Sequence, residues 1–194
     1  MPLKAQHFES ELKQALKTKP ELDFRLDSRN SFINQNGVKV FGFKLGAQFD
    51  EKLSFGLGYN FLWSELTKEF TIEGKLINMK LGYYYFSPYV EYVFYEDQKW
   101  QLSIPVQFGL GESYYENNQE VGARYINRQF VASYEPAIAF QYRFFTYFGA
   151  GMGVGYRLML VPNTEIEEQF TSPVYIFKFK VYFEKLLEDF GPNN

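Results

Sequence analysis

Hydrolysis or group transfer needs a base, a nucleophile or a set of metal ligands, and this chain offers few of them. Its 194 residues include one histidine, His7, and no cysteine. Thiolate metal sites, thiol nucleophiles and disulfides are thereby excluded. His7 stands in a helix-patterned segment at the start of the chain, with no second imidazole to serve a Ser or a carboxylate elsewhere. Glu91 and Glu135 could make a paired-carboxylate site. Salt bridges filling the lumen perturb carboxylates as readily as catalysis does, so we read them as ion-pair partners of the inward Lys and Arg residues.

Two further stretches invite chemistry. Glu165, Glu167 and Glu168 offer oxygens to calcium, but without the Asp-x-Asp spacing of a calcium loop they read as a solvated loop. Residues 149–155, GAGMGVG, resemble a phosphate-binding turn only until their spacing is checked. The glycines fall at every second residue, not as G-x-G-x-x-G opening a helix. On a strand they occupy one face, where they would let the opposite wall of a narrow barrel approach. No catalytic residue, no metal site and no cofactor is expected.

The elements that would position these residues are strands of unusual regularity. From Trp100 to Gly111 the even positions are Trp, Leu, Ile, Val, Phe and Leu, and the odd ones Gln, Ser, Pro, Gln, Gly and Gly. Side chains swap faces at each strand residue, so one face is apolar and the other polar or small. A strand crossing a bilayer needs about 9–11 residues, and this one suffices. Residues 38–50 repeat the pattern with Phe41, Phe43, Leu45, Ala47 and Phe49 outward, and residues 53–63 with Leu53, Phe55, Leu57, Tyr59, Phe61 and Trp63. Residues 128–144, 148–158 and 175–183 continue it.

In residues 76–95, Val90, Tyr92 and Phe94 face outward and Glu91 inward. Pro88 is expected to mark a bulge that flips the register, leaving Leu81, Tyr83 and Tyr85 unassigned. Tight turns at 50–52, 96–99 and near Phe145 alternate with long loops at 64–75, 113–127 and 161–172. This is the short-inside, long-outside rhythm of an outer-membrane barrel. Seven strands are counted. The topology requires an eighth before them, and Leu22–Ile33 is the only candidate, with Phe24, Leu26 and Phe32 outward.

Composition agrees. Aromatics are 21% and charged residues 22%, and mean hydropathy is −0.32. No run approaches the roughly 18 apolar residues of a membrane helix, so a membrane protein of this make-up must be a barrel. The net charge of −3 argues against nucleic acid as a partner. Residues 7–19 carry Phe8, Leu12, Ala15 and Leu16 at helical spacing, and Pro20 ends them. Lys4-Ala5-Gln6 fits the tail of a trimmed export signal with cleavage after Ala5.

These strands resemble the small eight-stranded outer-membrane β-barrel proteins of Gram-negative bacteria, the OmpA/OmpX-like group, over roughly Leu22–Phe183. The resemblance implies a monomeric barrel in the outer membrane, inserted by the outer-membrane assembly machinery, with roles from anchoring and adhesion to lipid modification. Such chains often end on the aromatic residue that closes the last strand, whereas this one runs past Phe183 to Asn194.

The expected fold is therefore all-β: an eight-stranded antiparallel transmembrane barrel at 22–184, after an N-terminal segment at 1–21 with a short amphipathic helix and before a tail at 185–194. Lys44, Glu91, Glu135, Arg143, Arg157, Lys178 and Lys180 form its polar lumen, with Glu135 opposite Gly155, one diagonal step from Arg157. Lys178 and Lys180 are expected to reach Glu91 or Glu135. Trp63 and Trp100 are lipid-interface anchors. Expected partners are outer-membrane lipid, the assembly machinery and an extracellular partner for the loops. The functional expectation is a structural, surface-interaction or adhesion role. The alternatives are transport of a small solute or lipid through or along the barrel, and a soluble lipocalin-like barrel with the apolar face inside.

Overall fold

The computed structural model describes residues 2–33, 36–72, 74–117 and 125–183, the side chains of 2–8 excepted. Helix α1 (Pro2–Ala15) leads into strands β1 (Glu21–Ile33), β2 (Asn36–Phe49), β3 (Leu53–Leu62), β4 (Thr67–Ile72), β5 (Lys75–Glu96), β6 (Trp100–Glu116), β7 (Tyr125–Phe145), β8 (Phe148–Val161) and β9 (Ser172–Tyr182). All ladders among these strands are antiparallel, and β3 pairs with β5 as well as β2. Among the described residues eight strands thus close a ring, and β4 stands outside it, bonded to β5 above the closure.

Strand β1, the least apolar of the set, is a full stave. It pairs with β2 from Glu21↔Gln48 to Ile33↔Asn36 and with β9 from Asp23↔Tyr182 to Asn30↔Tyr175. Closure leaves the apolar phase outside, with Leu57 64% and Ile138 59% exposed. A surface of that kind is stable only against lipid, which removes the lipocalin-like alternative. On β5 the outward apolar run from Tyr84 to Phe94 gives way above to Lys80 and Asn78, and on β6 the run from Trp100 to Leu110 gives way to Glu112 and Glu116. The lipid band ends there, and β5, β6 and β7 continue beyond it.

Four expectations need correction. Pro88 does not flip the register: odd residues from Ile77 to Val93 all face inward, and the bulge lies between Val93 and Tyr95. Proline only interrupts the ladder locally, because its ring faces outward and it lacks an N–H. Residues 64–75 are not merely a loop, since β4 forms a hairpin with β5 there, and the stretch 113–127 is shortened by the extension of β6 and β7. The helix starts at Pro2 and ends at Ala15, not Lys19, with the Thr18 hydroxyl donating to the Ala15 carbonyl at 2.7 Å. The β8 glycines accommodate the neighbouring strand rather than the opposite wall. A Cβ at Gly151 or Gly155 would lie 2.6 Å from the β7 carbonyl oxygens of Phe140 or Pro136. His7 lies on α1 with its side chain outside the described residues, as do the Lys4-Ala5-Gln6 side chains. The tail from 185 is outside them entirely.

The turn at 50–52 is a three-residue connection between the paired Phe49 and Leu53. Asp50 and Glu51 have φ of 50° and 49°, and the Lys52 N–H donates to the Phe49 carbonyl at 3.0 Å. Two successive positive φ values match the twist of the flanking strands.

Candidate functional site

The inward positions of β1 are Asp23, Arg25, Asp27 and Arg29, a charge of alternating sign at every second residue, and all four are buried. They organise a network across the barrel. Arg25 Nε donates to Asp23 Oδ1 at 2.9 Å, and the same guanidinium pairs with Glu91. Glu91 also accepts from Lys178 at 2.8 Å and from Ser103. Lys180 lies 3.3 Å from Asp23 and donates to Gln48 at 2.6 Å. Tyr89 donates to Asp23 at 3.0 Å, and its ring lies 4.7 Å from the Lys44 ammonium. That ring has room because residue 46 is glycine, where a Cβ would sit 2.6 Å from the Tyr89 hydroxyl.

Higher up, Asp27 takes Lys44 at 3.1 Å and Arg29 at 2.9 Å. Glu135 accepts from Arg157 Nε at 3.0 Å and from Gln107 at 3.2 Å, with Arg29 Nε 3.1 Å away as a charge contact. Glu135 is opposite Arg157 itself, not Gly155, because Ala137 pairs with Gly155. Tyr83 and Tyr85 rings lie 5.8 Å from the Arg157 guanidinium. Among the described residues the buried layer holds six cations (Arg25, Arg29, Lys44, Arg157, Lys178, Lys180) and four carboxylates (Asp23, Asp27, Glu91, Glu135). Such groups are stable out of water only when paired and hydrogen-bonded.

Of the seven lumen residues read from the sequence, Lys44, Glu91, Glu135, Arg157, Lys178 and Lys180 are in this layer. Arg143 is not. It sits at the opposite rim from the long loops, paired with Glu51 and stacked 4.4 Å from the Tyr182 ring, because it is only two residues from the end of β7. Lys180 turns to Asp23, not to Glu91 or Glu135. The sequence reading missed Asp23, Arg25 and Arg29, although the period-two D-x-R-x-D-x-R pattern was there to find them.

Above the charged layer the inward residues change character. Ile33, Val38, Val40, Ile77, Met79, Leu81, Tyr83, Tyr115 and Val131 form an apolar cluster, roofed by Ile166 and Phe170 of the loop after β8. The Phe170 and Tyr83 rings are 4.6 Å apart. Asn163 clamps the loop by donating to the carbonyls of Ser113 at 3.1 Å and Asn127 at 2.8 Å. Of the three glutamates there, Glu167 binds Lys68 at 2.8 Å and Glu168 accepts from the Tyr115 hydroxyl. The hydrogen bond to Lys68 holds the Glu167 carboxyl below its ordinary range and raises the Lys68 ammonium.

Trp63 and Trp100 lie on the outer surface at opposite ends of the barrel. The Trp63 ring contacts Phe41 and Phe61, and Trp100 lies 4.3 Å from Tyr142.

No protein-family model matches this chain, and no curated protein does. Solved structures do. Neisserial surface protein A, NspA, is 11% identical with a TM-score of 0.55, over 84% of this chain and 97% of that one. Ail, the attachment invasion locus protein of Yersinia pestis, solved with the heparin analogue sucrose octasulfate, is 11% identical with a TM-score of 0.50, over 85% and 99%. At such identity the likeness concerns the fold: this chain has the architecture of the small eight-stranded outer-membrane β-barrels.

Proposed function

We propose that this protein is a monomeric outer-membrane β-barrel of a Gram-negative cell envelope, with a surface-interaction or adhesion role and no enzymatic one. The observation that carries this reading is the contrast between a filled interior and long exterior strands. The lumen is occupied by paired charges and roofed by Phe170, while β5, β6 and β7 run to 22, 17 and 21 residues, well beyond the about 9–11 that cross a bilayer. The excess lies on the side of the long loops. The barrel is the anchor and the projecting strands are the working part.

Outer-membrane lipid covers the apolar girdle, with Trp63 and Trp100 as interface anchors. The lumen network of Lys44, Glu91, Glu135, Arg157, Lys178 and Lys180, extended by the β1 charges, holds the barrel shut, with Arg143 securing its rim. The outer-membrane assembly machinery inserts the chain, and its extracellular strands and loops meet the partner. The net charge of −3 disfavours nucleic acid. Planar-bilayer recording of the refolded chain tests the reading. A silent membrane is expected, and stable, large unitary conductance would overturn the closed anchor in favour of solute transport.

A further inference from the structure

We infer that the free edge of β4, above the membrane, docks an extended peptide segment of a partner, which adds a strand there and places a basic side chain in the pocket beneath. This rests on the external-surface reading above and names the partner's chemistry.

At the level of the lipid band the ring is sealed by the β3–β5 ladder, from Leu53↔Tyr92 to Phe61↔Tyr84. Beyond Tyr84 the chain leaves β3, and β4 takes over as the partner of β5, from Thr67↔Lys80 to Ile72↔Lys75. Among the described residues no ladder runs along the other side of β4. Across from it, the β2–β3 ladder ends at Val40↔Leu62, and after the Trp63 and Ser64 N–H groups donate to the Lys39 carbonyl at 2.8 and 3.3 Å the two chains part. A barrel closed in the bilayer therefore opens into a slot above it.

The backbone alternation fixes which groups face that slot. The Leu81 N–H donates to the Leu66 carbonyl at 2.7 Å, and these residues are directly opposite in the same register. In an antiparallel ladder the bonded positions then recur at every second residue. Lys68, Phe70 and Ile72 turn their backbone groups to β5, and Thr67, Glu69 and Thr71 turn theirs to the open edge. A row of alternating donors and acceptors at strand spacing fits another extended backbone. The edge carries neither proline nor bulge, and its one lysine, Lys68, lines the pocket with its ammonium held by Glu167 at 2.8 Å.

The pocket supplies the side-chain preference. A cavity of about 80 Å³ lies in the slot between Asn36 of β2 and Thr67 and Lys68 of β4, with Ile33, Leu66, Leu81 and Tyr115 as apolar wall and Glu168 beside them. Glu168 Oε1 accepts from Tyr115, while Oε2 is buried without a hydrogen-bond partner among the described groups. Leaving a carboxylate oxygen unsatisfied is costly. An ammonium or guanidinium on an alkyl stem satisfies both the apolar wall and the free oxygen.

The test is selection from a phage-displayed library of linear decapeptides on the full chain folded in nanodiscs, followed by synthesis of the enriched peptides. Enrichment of sequences with a Lys or Arg flanked by β-branched residues is expected, and bound peptide should protect the amides of Thr67, Glu69 and Thr71 from hydrogen exchange. Glu69→Pro removes an edge donor without touching the β5 ladder and should weaken binding about tenfold or more. Methylating alternate backbone nitrogens of the peptide should do the same, which keeps the test decisive if the proline variant misfolds. Glu168→Gln should remove the preference for a basic side chain. No enrichment, protection elsewhere, or binding indifferent to both backbone blocks would overturn the inference. Those failures leave the barrel electrically silent, so they are distinguishable from a failure of the anchor reading, which the conductance measurement detects.

Discussion

The lower and upper halves of the lumen face the same way and are built from the same alternation, yet they solve opposite problems. The lower half lies behind lipid-facing residues such as Leu26, Leu45 and Phe179, and its inward side chains are ten buried charges. The upper half lies where the outer face has become polar, at Lys80, Glu112 and Glu116, and its inward side chains are aliphatic and aromatic. A membrane stave already has one apolar face, so its inner face is filled by side chains that bind each other specifically. Above the band the outer face meets water, and the inner face becomes an ordinary hydrophobic core with a loop for a lid. Within one strand, β5, the inward series runs from Ile77, Met79 and Leu81 through Tyr83 and Tyr85 to Glu91. The tyrosines mark the change of regime.

This contrast breaks most readily in the charged half. Glu135→Ala leaves Arg29 and Arg157 facing each other without their shared carboxylate, and removing one partner of a buried pair costs about 3–5 kcal/mol. A refolding titration into bilayers should read that loss, and a change below about 1 kcal/mol would mean that water fills the layer. In the apolar half, Phe170→Ala should cost about 3 kcal/mol, the low end for a buried aromatic, because a loop can settle into the space. Amide exchange should rise in residues 162–171 while the lower strands stay protected. Uniform loss of protection would show that the halves unfold together.

A finer probe uses the six-to-four excess of buried cations. Gln107 donates to Glu135 at 3.2 Å. Gln107→Arg adds to the excess, whereas Gln107→Glu reduces it. The glutamate variant should refold with the advantage, by about 1.5–3 kcal/mol, the scale of a hydrogen bond to a charged group. Equal penalties would mean that the excess is neutralised by solvent.

The smallest effect concerns the lid. Glu167 is depressed and Lys68 raised by their contact, from ordinary values of 4.5 and 10.5. The contribution of Glu167 is present above its ordinary value and fades as pH falls through the depressed one. That of Lys68 is present below its ordinary value and fades as pH rises through the raised one. Protection of the lid amides, taken relative to the intrinsic exchange rate at each pH, should therefore fall at both extremes and be greatest between about pH 5 and 10. Both groups are solvated, so barrel stability itself should not respond. A lid insensitive to acid would leave Asn163 and Phe170 as its effective clamps.

Period-two alternation determined by itself which face of a stave meets lipid everywhere but in the upper part of β5, where Pro88 obscured the phase, and the loop rhythm required a strand at Leu22–Ile33 despite its poor apolarity. Lys44, Glu91, Glu135, Arg157, Lys178 and Lys180 were legible as inward for the same reason: phase is a local property of the strand. What phase cannot give is height. Ion pairing depends on the stagger between strands, and that stagger places Arg143 at the rim, Glu135 against Arg157 and Lys180 against Asp23. Asp23, Arg25 and Arg29 were hidden for a related reason, since a stave recognised by its apolar residues draws attention away from its other side. The hairpin of β4 and the roof of Phe170 were out of reach of periodicity altogether. Their residues look like polar loop until long-range pairing with β5 and burial against Tyr83 supply what the local sequence lacks, and only closure of the ring brings those partners near.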